Sequence, residues 1–520
     1  MRITLYMLRK DCPADETALR AGHGYRAVPT RTLNGIDSSM LFVRATRARE
    51  AKWVAELTNV TTQSLGDLLQ QNAAAVLLLT HAKRTYAVTF GSGYHAIDPV
   101  EVERGFGLRV TVNAIEARRI KSADTRGLNR EGRSAKIIAP VAAELETLGI
   151  EPSEEWIRQL SGPVEDKTFA TSAAGADSLR LSVKNFRIAE LPSKLKRIAN
   201  YWTSDDYKRK FPFIDNFVRL ASADPRVAEL DEEVTKLVLA RDAGVYFAAP
   251  EPFDQLVVES YELVRHRKIP FEELSQTNVY DALGQLRLPE DPLKKVRVNA
   301  YDESGELADK AYPLYDYVQA EVPLHGRRYV LTAGIWFEVD PDFVSRVHRE
   351  VAALPDISSE LALPDWPLNT KGDGYVAEGE YNKQLAAARS WVLLDKKNLQ
   401  IEGYQRIEIC DLLTPECYLV CVKRANQSST LSHLFSQGSV SAALMHHDKY
   451  QVRLATALKK LGVDAATKGP TDFTIVYAIA TEKSGTADQA LFFFSQVNLL
   501  THARDIRSRN IRVAIALIHL

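Results

Sequence analysis

The sequence predicts a multidomain protein of mixed α/β and α+β class, and three observations carry that reading. Residues 1–185 alternate short apolar runs with turn residues, the pattern of a β-rich domain. Residues 186–370 mix helical and extended periodicities. Residues 371–520 run helix, three strands, helix, strand, then a further helix and strand, the order of an α/β domain.

Composition agrees with such a chain. Its 520 residues are 45% hydrophobic and 26% charged, and at roughly 150 residues per domain that length suggests about three domains. The formal net charge of −1 excludes a polycation that coats nucleic acid by bulk charge, though not a local basic groove. Four cysteines, three of them between Cys410 and Cys421, cannot form a disulfide framework, so a reducing, cytoplasmic setting is expected. No run reaches the ~18 uninterrupted apolar residues of a membrane helix. The opening MRITLYMLRKDCPADET reads as a first strand, with neither secretion nor anchoring expected.

In the first part, Ile3–Leu8, Ser39–Arg44, Ala75–Thr80, Thr85–Phe90 and Leu108–Ala114 read as strands. Gly91 and Gly93 follow an apolar strand. A phosphate cradle there would need a helix to open at once, and the next residues continue as another apolar stretch. Tight turns are the better reading for this pair and for Gly105 and Gly107.

In the middle part, Val227–Arg241 has helical spacing, Arg327–Val339 reads as strand, and the Pro-rich Leu361–Leu368 reads as a linker or turn. The segment Lys184–Lys210 is locally basic. Lys194, Lys196, Arg197, Lys208, Arg209 and Lys210 are interleaved with Phe186, Tyr201, Trp202, Tyr207 and Phe211. Cations for phosphates and rings for unpaired bases are what binding to single-stranded DNA or RNA requires. A solvated face backed by core aromatics is the commoner outcome of such a run.

Any chemistry is expected in the last part. Gly379–Asn382 leads into a helix, Trp391–Asp395 is a strand closed by a turn at Lys396–Asn398, and Arg406–Thr414 and Tyr418–Lys423 form a hairpin around Thr414–Cys417. A helix over Thr430–Leu461, broken near Gly438, a buried strand over Asp472–Ala480, a long helix over Ala487–Arg509 and a strand over Ile511–Ile518 complete it. With Asp411 ending the second strand and Cys421-Val422-Lys423 on the third, this segment resembles the restriction-endonuclease-like PD-(D/E)xK nucleases.

The resemblance implies metal-dependent hydrolysis of phosphodiester bonds in DNA or RNA. Asp411 would hold Mg²⁺ or Mn²⁺, which take hard oxygen ligands, and Lys423 would orient the attacking water and stabilise charge on the phosphate. Glu380 matches the extra acid of the leading helix, Ser432 and Gln437 the polar positions of the following helix, and Arg424 adds a cation for the nucleic acid. Cys421 stands where a carboxylate is usual, and a thiol is a poor substitute ligand for Mg²⁺. Glu408 could supply the missing charge. A two-residue turn would set Glu408 across from Lys423, whereas a three-residue turn would set Asp411 across from Cys421 on the face of Lys423. The plain alternative is a cross-strand ion pair.

Other constellations are weaker. Cys410, Cys417, Cys421 and His433 are a legitimate zinc ligand set without zinc-knuckle spacing, and buried inert thiols are the better reading. His446-His447 reads as helix surface or packing and Phe492–Phe494 as core. Walker, HExxH and GxSxG motifs are absent. Two further readings stay open: a degenerate nucleic-acid or partner-binding protein of the same fold, and a scaffold in a larger assembly.

The whole chain also resembles an uncharacterised bacterial family, the sporadically distributed proteins. The resemblance rests on Thr89–Gly93, Phe106–Val110, Glu380–Asn382, Ile407–Leu412, Val422–Arg424, Leu431–Gly438 and Phe493–Ser495. It implies a bacterial cytoplasmic protein associated with mobile elements or antiviral defence, and no particular activity.

Overall fold

The computed structural model describes all residues except 1, 23, 32, 52, 129–133, 154, 243, 251–257, 303, 304, 306, 308–310, 370–373, 395–398, 402, 403, 408, 426 and 427. It divides into two units, residues 1–126 with 134–215, and residues 127 and 128 with 216–520.

The first unit is built on a ten-stranded sheet. Its strands in chain order are β1 (Arg2–Met7), β2 (Arg26–Val28), β3 (Ser38–Ala45), β4 (Ala73–His81), β5 (Arg84–Gly91), β6 (Ile120–Gly127), β7 (Ser134–Ala143), β8 (Glu155–Pro163), β9 (Ser172–Gly175) and β10 (Leu179–Ser182). They lie in the order β2-β3-β4-β5-β1-β10-β9-β8-β6-β7, largely as antiparallel neighbours. Period-two alternation puts Ile3, Leu5 and Met7 of β1 into the core. The expected strands near residues 3, 39, 75 and 85 are all present.

The expected strand at Leu108–Ala114 is instead helix α1 (Phe106–Ala114). All of its residues but Arg109 are buried, so it has no polar face to display a helical period. Gly105 begins it at φ +69°, where its N–H donates to the Asp177 carboxylate at 2.8 Å. Asp177 also pairs with Arg104 at 2.6 Å, so an acid occupies this helix start. A Cβ on Gly107 would run into the Ser178 carbonyl, and one on Gly175 into the Gly107 carbonyl. Both glycines let the helix backbone rest directly on the β9–β10 hairpin. Gly91 turns at φ +57°, and Gly93 passes too close to the Ala75 carbonyl for a side chain.

The second unit opens with a five-stranded sheet. It contains β11 (Phe217–Arg219), β12 (Val245–Phe247), β13 (Val318–Leu324), β14 (Arg327–Thr332) and β15 (Ile335–Val339) in the order β11-β15-β14-β13-β12. Beside it in sequence is a four-stranded sheet built from segments between Ser260 and Pro313. The single strand expected over Arg327–Val339 is a hairpin, turned at Ala333 and Gly334 with φ of +50° and +69°. The helix expected at 227–241 runs Pro225–Leu239, capped by the Asp224 carboxylate, which accepts from the Arg226 N–H.

The C-terminal sheet has five strands, β16 (Val392–Leu393), β17 (Leu412–Leu413), β18 (Tyr418–Arg424), β19 (Thr474–Thr481) and β20 (Arg512–His519), in sequential order. The first three pair antiparallel and the last three parallel. Every residue of β19 is buried, as a strand covered on both faces requires. Helix α2 (Glu378–Arg389) covers one face, packing Tyr381 and Leu385 on Val420, Val422, Val476 and Ala478. Helices α3 (Ser428–Leu444), α4 (Asp448–Lys460) and α5 (Phe493–Ser508) complete the domain.

Three expected elements are corrected here. The strand expected at Arg406–Thr414 is split: Tyr404–Ile407 pairs with Leu399–Ile401 in a separate ribbon, and only Leu412–Leu413 joins the main sheet. The helix break falls at residues 445–447, not Gly438, which lies inside α3 where a Cβ would meet the Tyr477 ring. The long helix expected from 487 breaks at Leu491–Phe492. The turn at Lys396–Asn398 lies outside the described residues. Phe493 and Phe494 are core, with ring partners Phe343 at 5.5 Å and Phe217 at 6.1 Å.

Candidate functional site

The β17–β18 hairpin closes through Pro415, Glu416 and Cys417, with Cys417 at φ +64°. The Thr414 N–H donates to the Tyr418 carbonyl at 3.2 Å. This three-residue turn sets Leu413 across from Leu419 and Leu412 across from Val420. Continued one step, the register brings Asp411 beside Cys421. At Asp411 the ladder slips, because its N–H donates to the Val420 carbonyl at 3.0 Å. Asp411 and Leu412 thus both address Val420, the two-against-one pattern of a β-bulge, which re-aims a side chain.

The re-aimed carboxylate turns onto the neighbouring strand. Its Oδ2 accepts from the Val422 N–H at 2.7 Å, and the Asp411 carbonyl accepts from the Leu394 N–H at 2.8 Å. Asp411 is 3% exposed. Burial of a carboxylate demands such partners, and a hydrogen bond to a charged group contributes about 1.5–3 kcal/mol.

Lys423, the residue after Val422, places Nζ 2.9 Å from Oε1 of Glu378. Glu378 stands in the first turn of α2, where a negative charge complements the helix dipole. Glu380 lies about 200° further round the helix; it is exposed, accepts from Gln384 at 3.2 Å and has Lys383 at 3.9 Å. Among the described residues, the acid that meets Lys423 is therefore Glu378, which the sequence reading did not select. Its signal was available: Glu378, Tyr381, Asn382 and Leu385 share one helical face. Asn382, four residues after Glu378, is fully buried, and among the described residues its side-chain amide has no hydrogen-bond partner.

Cys421 is fully buried. Cys410 is buried too, its thiol donating to the Leu412 carbonyl at 3.3 Å, and burial followed by the Asp411 charge pushes its pKa well above the ordinary thiol range. Gln437 is half-buried on α3, and the Ser432 hydroxyl accepts from Asn498 at 2.9 Å. The Arg424 guanidinium lies over the Trp366 and Tyr375 rings at 5.7 and 5.6 Å. Glu408 lies outside the described residues. Among the described residues, no three His, Cys, Asp or Glu side chains gather so as to hold a metal ion, for magnesium or for zinc.

A model of DUF6119, a family of unknown function, matches residues 3–519. The chain belongs to the DUF6119 family. No curated protein and no solved structure matches it. The match runs from β1 to β20, so both units of this DUF6119 protein belong to one family pattern. Among the described residues, no helix is long and apolar enough to cross a membrane.

The basic aromatic segment of the DUF6119 chain lies in the first unit, mainly on the helices Leu191–Thr203 and Tyr207–Lys210. Lys194 is 7% exposed and its ammonium donates to the Thr168 and Phe169 carbonyls at 2.8 and 2.6 Å. Arg197 pairs with Asp166, Lys208 with Asp205 at 3.4 Å and Lys210 with Glu165 at 2.5 Å. Lys196 and Arg209 are exposed. Tyr207 and Phe211 are core residues, and Phe186, Tyr201 and Trp202 pack against that core. Interleaving of rings and cations here is the period of amphipathic helices. Of the six cations of this segment named for nucleic acid, Lys194 is buried and Arg197, Lys208 and Lys210 are ion-paired, whereas Lys196 and Arg209 are exposed.

Proposed function

We propose that the C-terminal sheet carries a site of the PD-(D/E)xK kind that hydrolyses phosphodiester bonds of DNA or RNA. The Asp411–Val422 hydrogen bond is the observation that carries this reading. It draws the acid at the end of the second strand against the third strand, one residue before the lysine. The order of the strands and the flanking helices α2 and α3 support the same reading, as an analogy of fold. Lys423 would stabilise charge developing on the phosphate, and Glu378 would hold the ammonium in place. The assay supplies Mg²⁺ or Mn²⁺, with labelled single- and double-stranded DNA and RNA. Metal-dependent products from the wild-type chain, lost in Lys423→Met and Asp411→Asn, are the expected result. Participation in antiviral or mobile-element defence goes with this proposal.

One observation favours a second reading. Cys421 is a fully buried thiol in place of the usual carboxylate, and such a site suits binding without cutting. Salt-dependent retention of nucleic acid with no metal-dependent product would mark that outcome.

A further inference from the structure

The first unit holds a cleft of about 410 Å³ beside the Gly91-Ser92-Gly93 turn. Arg20, Arg44, His95, Tyr25, Ser92 and Thr46 are among the residues that line it, and no Asp or Glu does among the described residues. That volume falls within the roughly 300–1,000 Å³ typical of small-ligand sites. Two arginines and a histidine lining one concavity favour an anion, and the planar guanidinium matches phosphate oxygens in pairs.

The backbone explains how these groups converge. Gly91 turns at φ +57°, and Gly93 lies against the Ala75 carbonyl, which pins the turn to β4. A short 3-10 turn over Gly93–Ala96 then presents His95. The Arg20 Nε donates to the Ile97 carbonyl at 3.2 Å, which fixes the side chain at the base of its guanidinium. The Arg44 guanidinium lies over the Tyr25 ring at 5.9 Å, and the Tyr94 and His95 rings are 4.0 Å apart. Cations and flat rings therefore line the same cleft.

We infer that this cleft binds a phosphate-bearing nucleotide, either free or as the 5′-phosphorylated end of a single strand. Phosphate oxygens would meet Arg20 and Arg44, and the base would stack on the aromatic side. The inference stands on the first unit alone and does not depend on hydrolysis at the C-terminal sheet.

Calorimetric titration of the full chain tests it, with AMP, ATP, adenosine, inorganic phosphate and a 5′-phosphorylated oligonucleotide compared with its 5′-hydroxyl form. Saturable binding of a phosphorylated nucleotide or of the 5′-phosphorylated strand is expected, with adenosine and the 5′-hydroxyl strand weaker. The first ligand points to a free nucleotide and the second to a strand end. Arg44→Gln and, separately, Arg20→Gln should each weaken that binding about tenfold or more, as loss of a charged partner does. Arg118→Gln, whose parent side chain is 88% exposed and paired with Glu144, should leave it unchanged. Circular dichroism melting verifies that each variant folds, and Arg20→Gln serves if Arg44→Gln does not. Absence of saturable binding by every phosphorylated ligand overturns the inference, as does binding that neither cleft variant weakens.

Discussion

Nζ of Lys423 lies 2.9 Å from Oε1 of Glu378, joining the end of the third C-terminal strand to the first turn of the leading helix. Their side chains are 26% and 31% exposed, so water screens the pair. Such a pair contributes about 0–1 kcal/mol. Lys423→Met and Glu378→Gln should therefore each shift the urea midpoint only slightly. A loss well beyond that range would show that this pair serves folding more than chemistry.

Asp411 behaves differently, because it is almost wholly buried and its carboxylate satisfies the Val422 N–H. Asp411→Ala leaves that amide unpaired, at a cost of about 1–3 kcal/mol. Asp411→Asn keeps an oxygen acceptor and should cost less. Equal urea denaturation curves for the two variants would contradict the role given to this hydrogen bond.

Much of the C-terminal sheet could be read from the residues themselves. The apolar run from Ile475 to Ala480 needs cover on both faces, and Thr414 to Cys417 has the residues of a turn. Other elements were hidden by physical causes. Helix α1 is buried on nearly all sides, so Leu108–Ala114 lacks the polar face that separates a helix from a strand. The bulge at Asp411 depends on a hydrogen bond between strands, which no spacing within one strand reveals. Lys194 looks like a surface cation until the Thr168 and Phe169 carbonyls are seen to take its ammonium. On the leading helix, Glu380 fitted the linear pattern while Glu378 occupies the inward face.

Gly438 tests the packing behind this site. It lies inside α3, where an added Cβ would meet the ring of Tyr477, whose hydroxyl donates to the Phe435 carbonyl at 2.9 Å. Gly438→Ala removes a helix-weakening glycine yet should destabilise the chain, because overpacking a core costs about 1–3 kcal/mol. A raised melting temperature would show that α3 can move away from the sheet at no cost.

His502 gives the domain a pH response. It is partly buried on α5 with Nδ1 2.7 Å from the Ser439 hydroxyl, and burial lowers its pKa below the ordinary 6.5, opposed in part by Asp505. Above 6.5 the folded and unfolded chains both hold the ring neutral. As pH falls below that value the unfolded chain takes up the proton first, so stability is lost towards acid. His502→Gln should flatten the dependence of the urea midpoint on pH between 6.5 and the lower folded value. An unchanged slope would assign the response to other groups.

Cleavage of labelled DNA and RNA by the purified chain with Mg²⁺ or Mn²⁺, measured beside Lys423→Met and Asp411→Asn, tests the central claim most directly. The wild-type chain should yield metal-dependent products, and removal of the lysine should slow their formation by about 100-fold or more, the effect of losing one preorganised donor. Products formed at the same rate by all three proteins, or by none of them under any of these conditions, would contradict it.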